Sequence, residues 1–246
     1  MMICDAHCHL DLMDDMSRFI SEIQNFNMSL LAVGTTPKAY SREVQFCRSS
    51  RNIYVSLGMH PQLVSSGYDD MLLFKSLIGK SHYIGEIGLD FSKEYAHTKD
   101  LQIEVFREIL GLCELYGEKV VSIHSLKSVN TVLEILQKCK KKDDNIYILH
   151  WFTGSISQLK KAIELGCYFS INPNMLKTKS GIEIIKRVPM NRMLIETDAP
   201  FAFKVWHVKE LKEVIEETVS KISDIIGVDS SRVCLKIKSY TKHMFP

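Results

Sequence analysis

Short apolar runs rich in β-branched residues alternate along the whole chain with longer stretches in which apolar residues recur every three or four positions. The short runs predict eight strands, over 3–7, 30–34, 53–58, 83–86, 120–124, 146–150, 168–171 and 193–196. Among the longer stretches, 101–116 carries Val105, Ile109, Leu112, Cys113 and Tyr116 on one helical face. A second stripe of Leu211, Val214, Ile215, Val219, Ile222 and Ile226 ends at Gly227, a helix stop. Residues 231–246 read as a short tail. No Pro-, Gly- or Ser-rich linker and no shift in composition interrupts the alternation, so residues 1–246 are expected to form one α/β domain. Eight strands with intervening helices at this length predict a (β/α)8 TIM-type barrel, because an open doubly wound sheet usually carries fewer strands.

Composition narrows the classes. The 246 residues are 46% hydrophobic and 24% charged, ample apolar material for a sizeable core. No apolar run approaches the roughly 18 residues of a membrane span, and the opening MMICDAHCHL lacks the basic-then-apolar pattern of a signal peptide, which points to the cytoplasm. Seven cysteines without a C-x-x-C pair argue for reduced thiols and against a cysteine-only zinc site. A net charge of +2 gives no long-range attraction that would announce a nucleic-acid partner.

The placement of ionisable residues is more telling. His7 and His9 close the first predicted strand, His60 follows the third, Glu86 ends the fourth, His124 the fifth and His150 the sixth, while Asp198 follows the eighth. In a closed parallel barrel those ends converge on one mouth. His7 and His9 are two apart, so on an extended strand they project to one face. Cys4 and Cys8, which alternate with them, are expected to face the helix layer and pack there. Separate buried imidazoles would each need a partner, whereas a shared metal site satisfies them together.

Four imidazoles and two carboxylates suit zinc or another transition metal better than calcium, and six ligands exceed what one tetrahedral ion with an open position uses. Two divalent ions follow. The economical division gives one ion His7, His9 and Asp198 and the other His124 and His150, with Glu86 bridging. Such a pair activates water and neutralises charge on a phosphodiester, and Asp198 can take the water's proton, so hydrolysis is the expected reaction. The same ions would serve an amidohydrolase acting on an amide, lactone or ester, including an aminoacyl ester on tRNA. A non-catalytic binding subunit is the remaining alternative, although a purely structural site needs no open coordination positions.

The motifs DAHCHLD at 5–11, GMHPQ at 58–62, IGEIGLD at 84–90, SIHS at 122–125, LHWFTGS at 149–155 and ETDAP at 196–200 resemble, in this order, the TatD family of metal-dependent deoxyribonucleases. The resemblance implies a TIM-type barrel of the wider amidohydrolase group, two divalent ions (Mg, Mn or Zn) and exonucleolytic cleavage of DNA. It places the family's ligands on His7, His9, Glu86, His124, His150 and Asp198. GMHPQL, SIHS, LHWFTGS and ELGCYFSINPNMLK together further resemble the TatD-type nuclease of Qat anti-phage defence systems, which would make an ATPase and a QueC-like enzyme its partners.

Departures from the family pattern fall on substrate contacts. Where relatives commonly carry Arg two residues past the histidine matching His124, this chain has Leu126, with Lys127 beside it. Of the SINPNMLK segment only Lys177 matches a family position. After ETDAP, residues 201–205 run almost directly into the last helix, so the mouth is expected to be more open there. His60, with Pro61 fixing its turn, is assigned to substrate binding, together with Lys177 (Lys179 beside it) and a base stacked on Trp151. Lysines 140–142 fall at the opposite barrel end and read as a solvated turn.

Overall fold

In the computed structural model, which describes residues 3–66, 68–141, 144–205 and 207–246, eight parallel strands close into a barrel in sequence order. They are β1 (Ile3–Cys8), β2 (Met28–Ala32), β3 (Ile53–Leu57), β4 (Tyr83–Gly88), β5 (Val120–His124), β6 (Ile146–His150), β7 (Tyr168–Ile171) and β8 (Met193–Ile195). The helices are α1 (Met16–Ile23), α2 (Pro37–Cys47), α3 (Tyr68–Leu77), α4 (Lys99–Tyr116), α5 (Val129–Cys139), α6 (Ile156–Glu164), α7 (Lys179–Ile185), α8 (Val208–Ile226) and α9 (Ser230–Thr241). The expected (β/α)8 barrel is therefore what the sequence builds. No helix of the described residues is long and apolar enough to cross a membrane. All seven cysteines are unpaired.

Strand alternation divides the apolar residues into two cores. On β5 and β6, positions 120, 122, 124 and 146, 148, 150 share the inward face. Val120 and Ile148 accordingly pack inside the barrel with Ala6, Leu31, Val33 and Leu194. The alternate residues, such as Val121, Ile123, Leu149 and Phe169, meet the inner faces of the helices in a larger core with Phe74, Phe106 and Phe152. Along both inward rows the apolar residue gives way to a histidine at the C-terminal end, which confines polar chemistry to one mouth.

Helix ends follow local signals. Ser155 and Gln158 form a reciprocal capping box at the start of α6. Gly227 ends α8 in the left-handed conformation at φ +66°, as its position predicts.

Three expectations need correction. First, residues 231–246 are no simple tail: Asp229 caps α9 through the Ser231 and Arg232 amides, and Val233 and Thr241 face inward. The stripe is broken by lysines and serines, which hid the helix. Beyond it Met244 and Phe245 plug the floor of the barrel, where the Phe245 ring lies 5.4 Å from Tyr54 and 6.0 Å from Tyr83, and Tyr83 Oη donates to the Met244 carbonyl at 2.8 Å.

Second, Cys4 belongs to the interior cluster and only Cys8 to the helix-facing one, because the β1–β2 register slips between Asp5 and Cys8 and breaks strict alternation. Third, β4 runs through Glu86 to Gly88, while β2 starts and stops two residues early and β8 stops before Glu196. The β4 continuation depends on glycine. Gly88 sits at φ +139°, and a Cβ there would lie 2.1 Å from the His124 carbonyl oxygen.

The floor plug carries a stability prediction. Phe245→Ala should cost about 3 kcal/mol in urea unfolding, by loss of a buried aromatic. A change under about 1 kcal/mol would show that the plug does not close the core.

Candidate metal centre

The six residues singled out from the sequence converge at the barrel mouth, and the carboxylate of Glu86 stands at their centre. Its Oε2 lies 3.3 Å from His7 Nε2 and 3.2 Å from His9 Nε2. Its Oε1 lies 2.6 Å from His124 Nδ1 and 2.9 Å from His150 Nε2. Asp198 Oδ1 approaches His7 Nε2 at 3.7 Å and His9 Nε2 at 3.5 Å. One oxygen of Glu86 thus faces the β1 pair and the other faces the β5 and β6 histidines. The His7 and His150 rings stack 3.9 Å apart, so the two halves are in contact.

The backbone explains how five strands reach one point. The Glu86 amide donates to the Gly34 carbonyl at 2.9 Å, and its carbonyl accepts from Met59 at 3.0 Å. That seam requires glycine at 58, where a Cβ would fall 1.7 Å from the Gly34 oxygen. Across the β1–β8 closure, Asp5 accepts from the Thr197 amide (3.0 Å), the Thr197 hydroxyl (2.5 Å) and the His7 amide (3.1 Å). Burial raises Asp5 to about 7 against the lowering effect of those donors. Asp198 and Trp151 hold left-handed backbone at φ +55° and +37°, uncommon for non-glycine residues and concentrated here at the mouth.

Outer partners orient the imidazoles. His7 Nδ1 is 2.8 Å from Ser122 Oγ, leaving Nε2 to face the centre. His150 Nδ1 is 3.4 Å from Glu196, itself held by Ser170 and Asn172. His124 Nε2 faces Asp90 at 3.4 Å, and Gln62 and the Ser92 amide bind that carboxylate. Sequence reasoning passed over Glu196, Asp90, Ser122 and Asp5. Glu196 lies two residues before Asp198, and Asp90 closes the GLD of the β4 motif, but neither carries a signal separating an orienting carboxylate from an ordinary one.

Electrostatics follow from burial against mutual charge. Burial pushes Glu86 up, but the charges of His60, His150, His7 and His124 hold it well below the ordinary carboxylate range. Burial lowers His9, yet its bonds to Asp198 and Glu86 win and raise it to about 9. Asp198 is depressed because His9 and the charges of His150 and His7 outweigh its burial. His7 is lowered by burial and by the neighbouring charge of His150.

His60 also reaches the centre, with Nε2 3.3 Å from Glu86 Oε2. Its Nδ1 accepts from the Gln62 amide at 3.3 Å, which puts the ring proton on Nε2. Trp151 lines the same cavity while its ring packs against the core. Lys177 is exposed, bonds Asn174 Oδ1 at 2.7 Å and does not line the cavity; Lys179 is exposed at the start of α7. Lys140 bonds the Leu165 carbonyl at 3.0 Å, Lys141 is exposed, and Lys142 lies outside the described residues.

The donor set fits a bound cation. His7 Nε2, which faces Glu86 at the centre, is buried without a well-directed hydrogen bond, an arrangement costly for a polar group unless another partner serves it. Three groups of donor atoms lie within 4.8 Å of one another: His7, His9 and Asp198; His60, Glu86 and His124; and His7, His150 and Glu196. Imidazole and carboxylate donors of this mixture suit divalent ions.

Comparison with known proteins agrees with this chemistry. A family model described as TatD related DNase matches residues 4–246. A protein of Buchnera aphidicola named as an uncharacterized metal-dependent hydrolase is 30% identical over 82% of this chain and 79% of its own length. Deoxyribonuclease Tat-D of Schizosaccharomyces pombe is 33% identical over 50% of this chain, which covers 39% of that protein. The crystal structure of YjjV, a TatD homologue from Escherichia coli, superposes with a TM-score of 0.86 at 19% identity, covering 99% of this chain and 97% of that one.

Near His9 lie two further carboxyls, the half-buried Asp11 and the buried Glu43. Thr35 Oγ1 donates to Asp11 at 3.1 Å, while neither oxygen of Glu43 has a hydrogen-bond partner. Burial, then the charge of Asp11, pushes Glu43 from 4.5 to about 8, with His9 opposing. Between those two values the unfolded chain has released this proton and the folded chain keeps it, so the folded state loses stability as pH rises. Glu43→Gln should therefore gain a few kcal/mol on the wild type between pH 5 and pH 8, measured by urea unfolding of metal-free protein. Parallel pH dependences would contradict this.

Proposed function

The chain belongs to the TatD-related DNase family and is a metal-dependent hydrolase; from that premise we propose that it is a two-metal phosphodiesterase acting exonucleolytically on DNA ends. The observation that carries this reading is the division of Glu86, with Oε2 toward His7 and His9 and Oε1 toward His124 and His150. A carboxylate so placed can be shared by two ions. His7, His9 and Asp198 would hold one, and His124 and His150 the other. When bound, such ions supply Lewis-acid activation of water and offset charge on the phosphate.

The chain's own groups do the rest. Asp198 lines the cavity and is ionised, so its carboxylate can accept a proton from attacking water. Burial lowers the pKa of His60 while Glu86 opposes it, and with Nδ1 accepting from the Gln62 amide its Nε2 proton can be donated to a phosphate oxygen. Glu196, Ser122 and Asp90 hold the imidazoles in place, and a base can rest on Trp151. Lys177, outside the cavity, would reach only the strand beyond the terminal nucleotide.

We read residues 1–246 as one domain working in the cytoplasm, supported by the unbroken barrel and unpaired thiols. The motif likeness to Qat nucleases supports a place beside an ATPase and a QueC-like enzyme in anti-phage defence.

Labelled single-stranded DNA should be shortened from an end in the presence of Mg, Mn or Zn, and chelation should abolish this until metal is restored. Glu86→Gln should lose at least about 100-fold in kcat. Hydrolysis of an ester panel without DNA cleavage would move the assignment to an amidohydrolase, and a loss of only a few-fold in Glu86→Gln would remove its central role.

A further inference from the structure

The cavity above the metal centre has a volume of about 320 Å³, at the small end of ligand clefts and of a size to take one nucleotide. Among its described lining residues there is no lysine or arginine. Its outer wall is apolar: Phe201 is 63% exposed, Leu126 is 38% exposed, and Trp151 stands beside them. The Phe201 ring is held by a T-shaped contact with His9 at 4.8 Å, so a largely solvent-facing aromatic is anchored against a residue of the centre itself.

A strand end entering this cavity meets no lysine or arginine among the described lining residues to hold its phosphates from the outer wall. What the wall offers is a π-face, which accepts any base and requires that base to be unstacked from a duplex. An adjoining groove shares Thr153 and carries Lys127, Asn130 and Gln158, polar groups suited to the backbone of the next nucleotide.

Resting on the deoxyribonuclease reading above, we propose that Phe201 is the stacking platform for the base of the terminal nucleotide, so that the enzyme selects single-stranded ends that carry a base. Phe201 is a specificity residue in this assignment: it binds the base and takes no part in the proton transfers.

The test compares two oligonucleotides, one ordinary and one whose terminal nucleotides are abasic spacers, with wild type, Phe201→Ala and Phe201→Trp. Base stacking is strong enough for wild type to favour the ordinary end in KM by roughly 10-fold or more. That preference should collapse toward one in Phe201→Ala, with kcat much less affected, and persist in Phe201→Trp. Equal preferences in wild type and Phe201→Ala would overturn the inference. Equilibrium binding separates the two readings: Phe201-dependent binding without turnover under any divalent ion keeps the stacking platform and overturns the nuclease assignment, whereas turnover with Phe201-independent binding does the reverse.

Discussion

A carboxylate removed from water stays ionised only where positive or hydrogen-bonding groups surround it, and Glu86 is 1% exposed among histidines drawn from four other parts of the barrel mouth. The rest of the mouth is arranged around that requirement. The glycine seam at 34 and 58 lets the β4 backbone approach closely enough to deliver the side chain, and Asp5 ties β1 to the segment carrying Asp198. Because the same anion contacts both donor sets, a change at Glu86 disturbs every imidazole at once, whereas a change at an outer partner such as Ser122 disturbs one.

The barrel divides its labour along its axis. At the floor, Met244 and Phe245 fill the lumen with apolar volume, and upward along the inward rows of β5 and β6 apolar side chains give way to histidines. Close packing below keeps the strands from shifting, and such rigidity is what holds several side chains within a few tenths of an ångström of a shared point. Phe201 and Leu126, on the outer wall of the cavity, are instead exposed and lie on the connections beyond the strands.

The legibility of this arrangement in the sequence was uneven, for physical reasons. Histidines at the ends of β-branched runs are conspicuous because burying an imidazole needs a reason, so His7, His9, His124 and His150 stood out, and strand spacing placed them at one mouth. Glu196 and Asp90 did not stand out, since an acidic residue beside a strand end is common and its partner is set by three-dimensional packing. The register slip on β1 defeated the alternation rule at Cys4, because a one-residue irregularity moves a side chain to the other face. Helix α9 was missed where lysines interrupt its apolar stripe, and its contacts with α8 and the starts of β1 and β8 outweigh that weak pattern.

The central claim is that one carboxylate is shared by two ions, and manganese reports it directly. Protein loaded with Mn(II) and followed by electron paramagnetic resonance should take up two equivalents and develop an exchange-coupled spectrum. Saturation at one equivalent, or two equivalents giving only the spectrum of isolated ions, would contradict a centre bridged by Glu86.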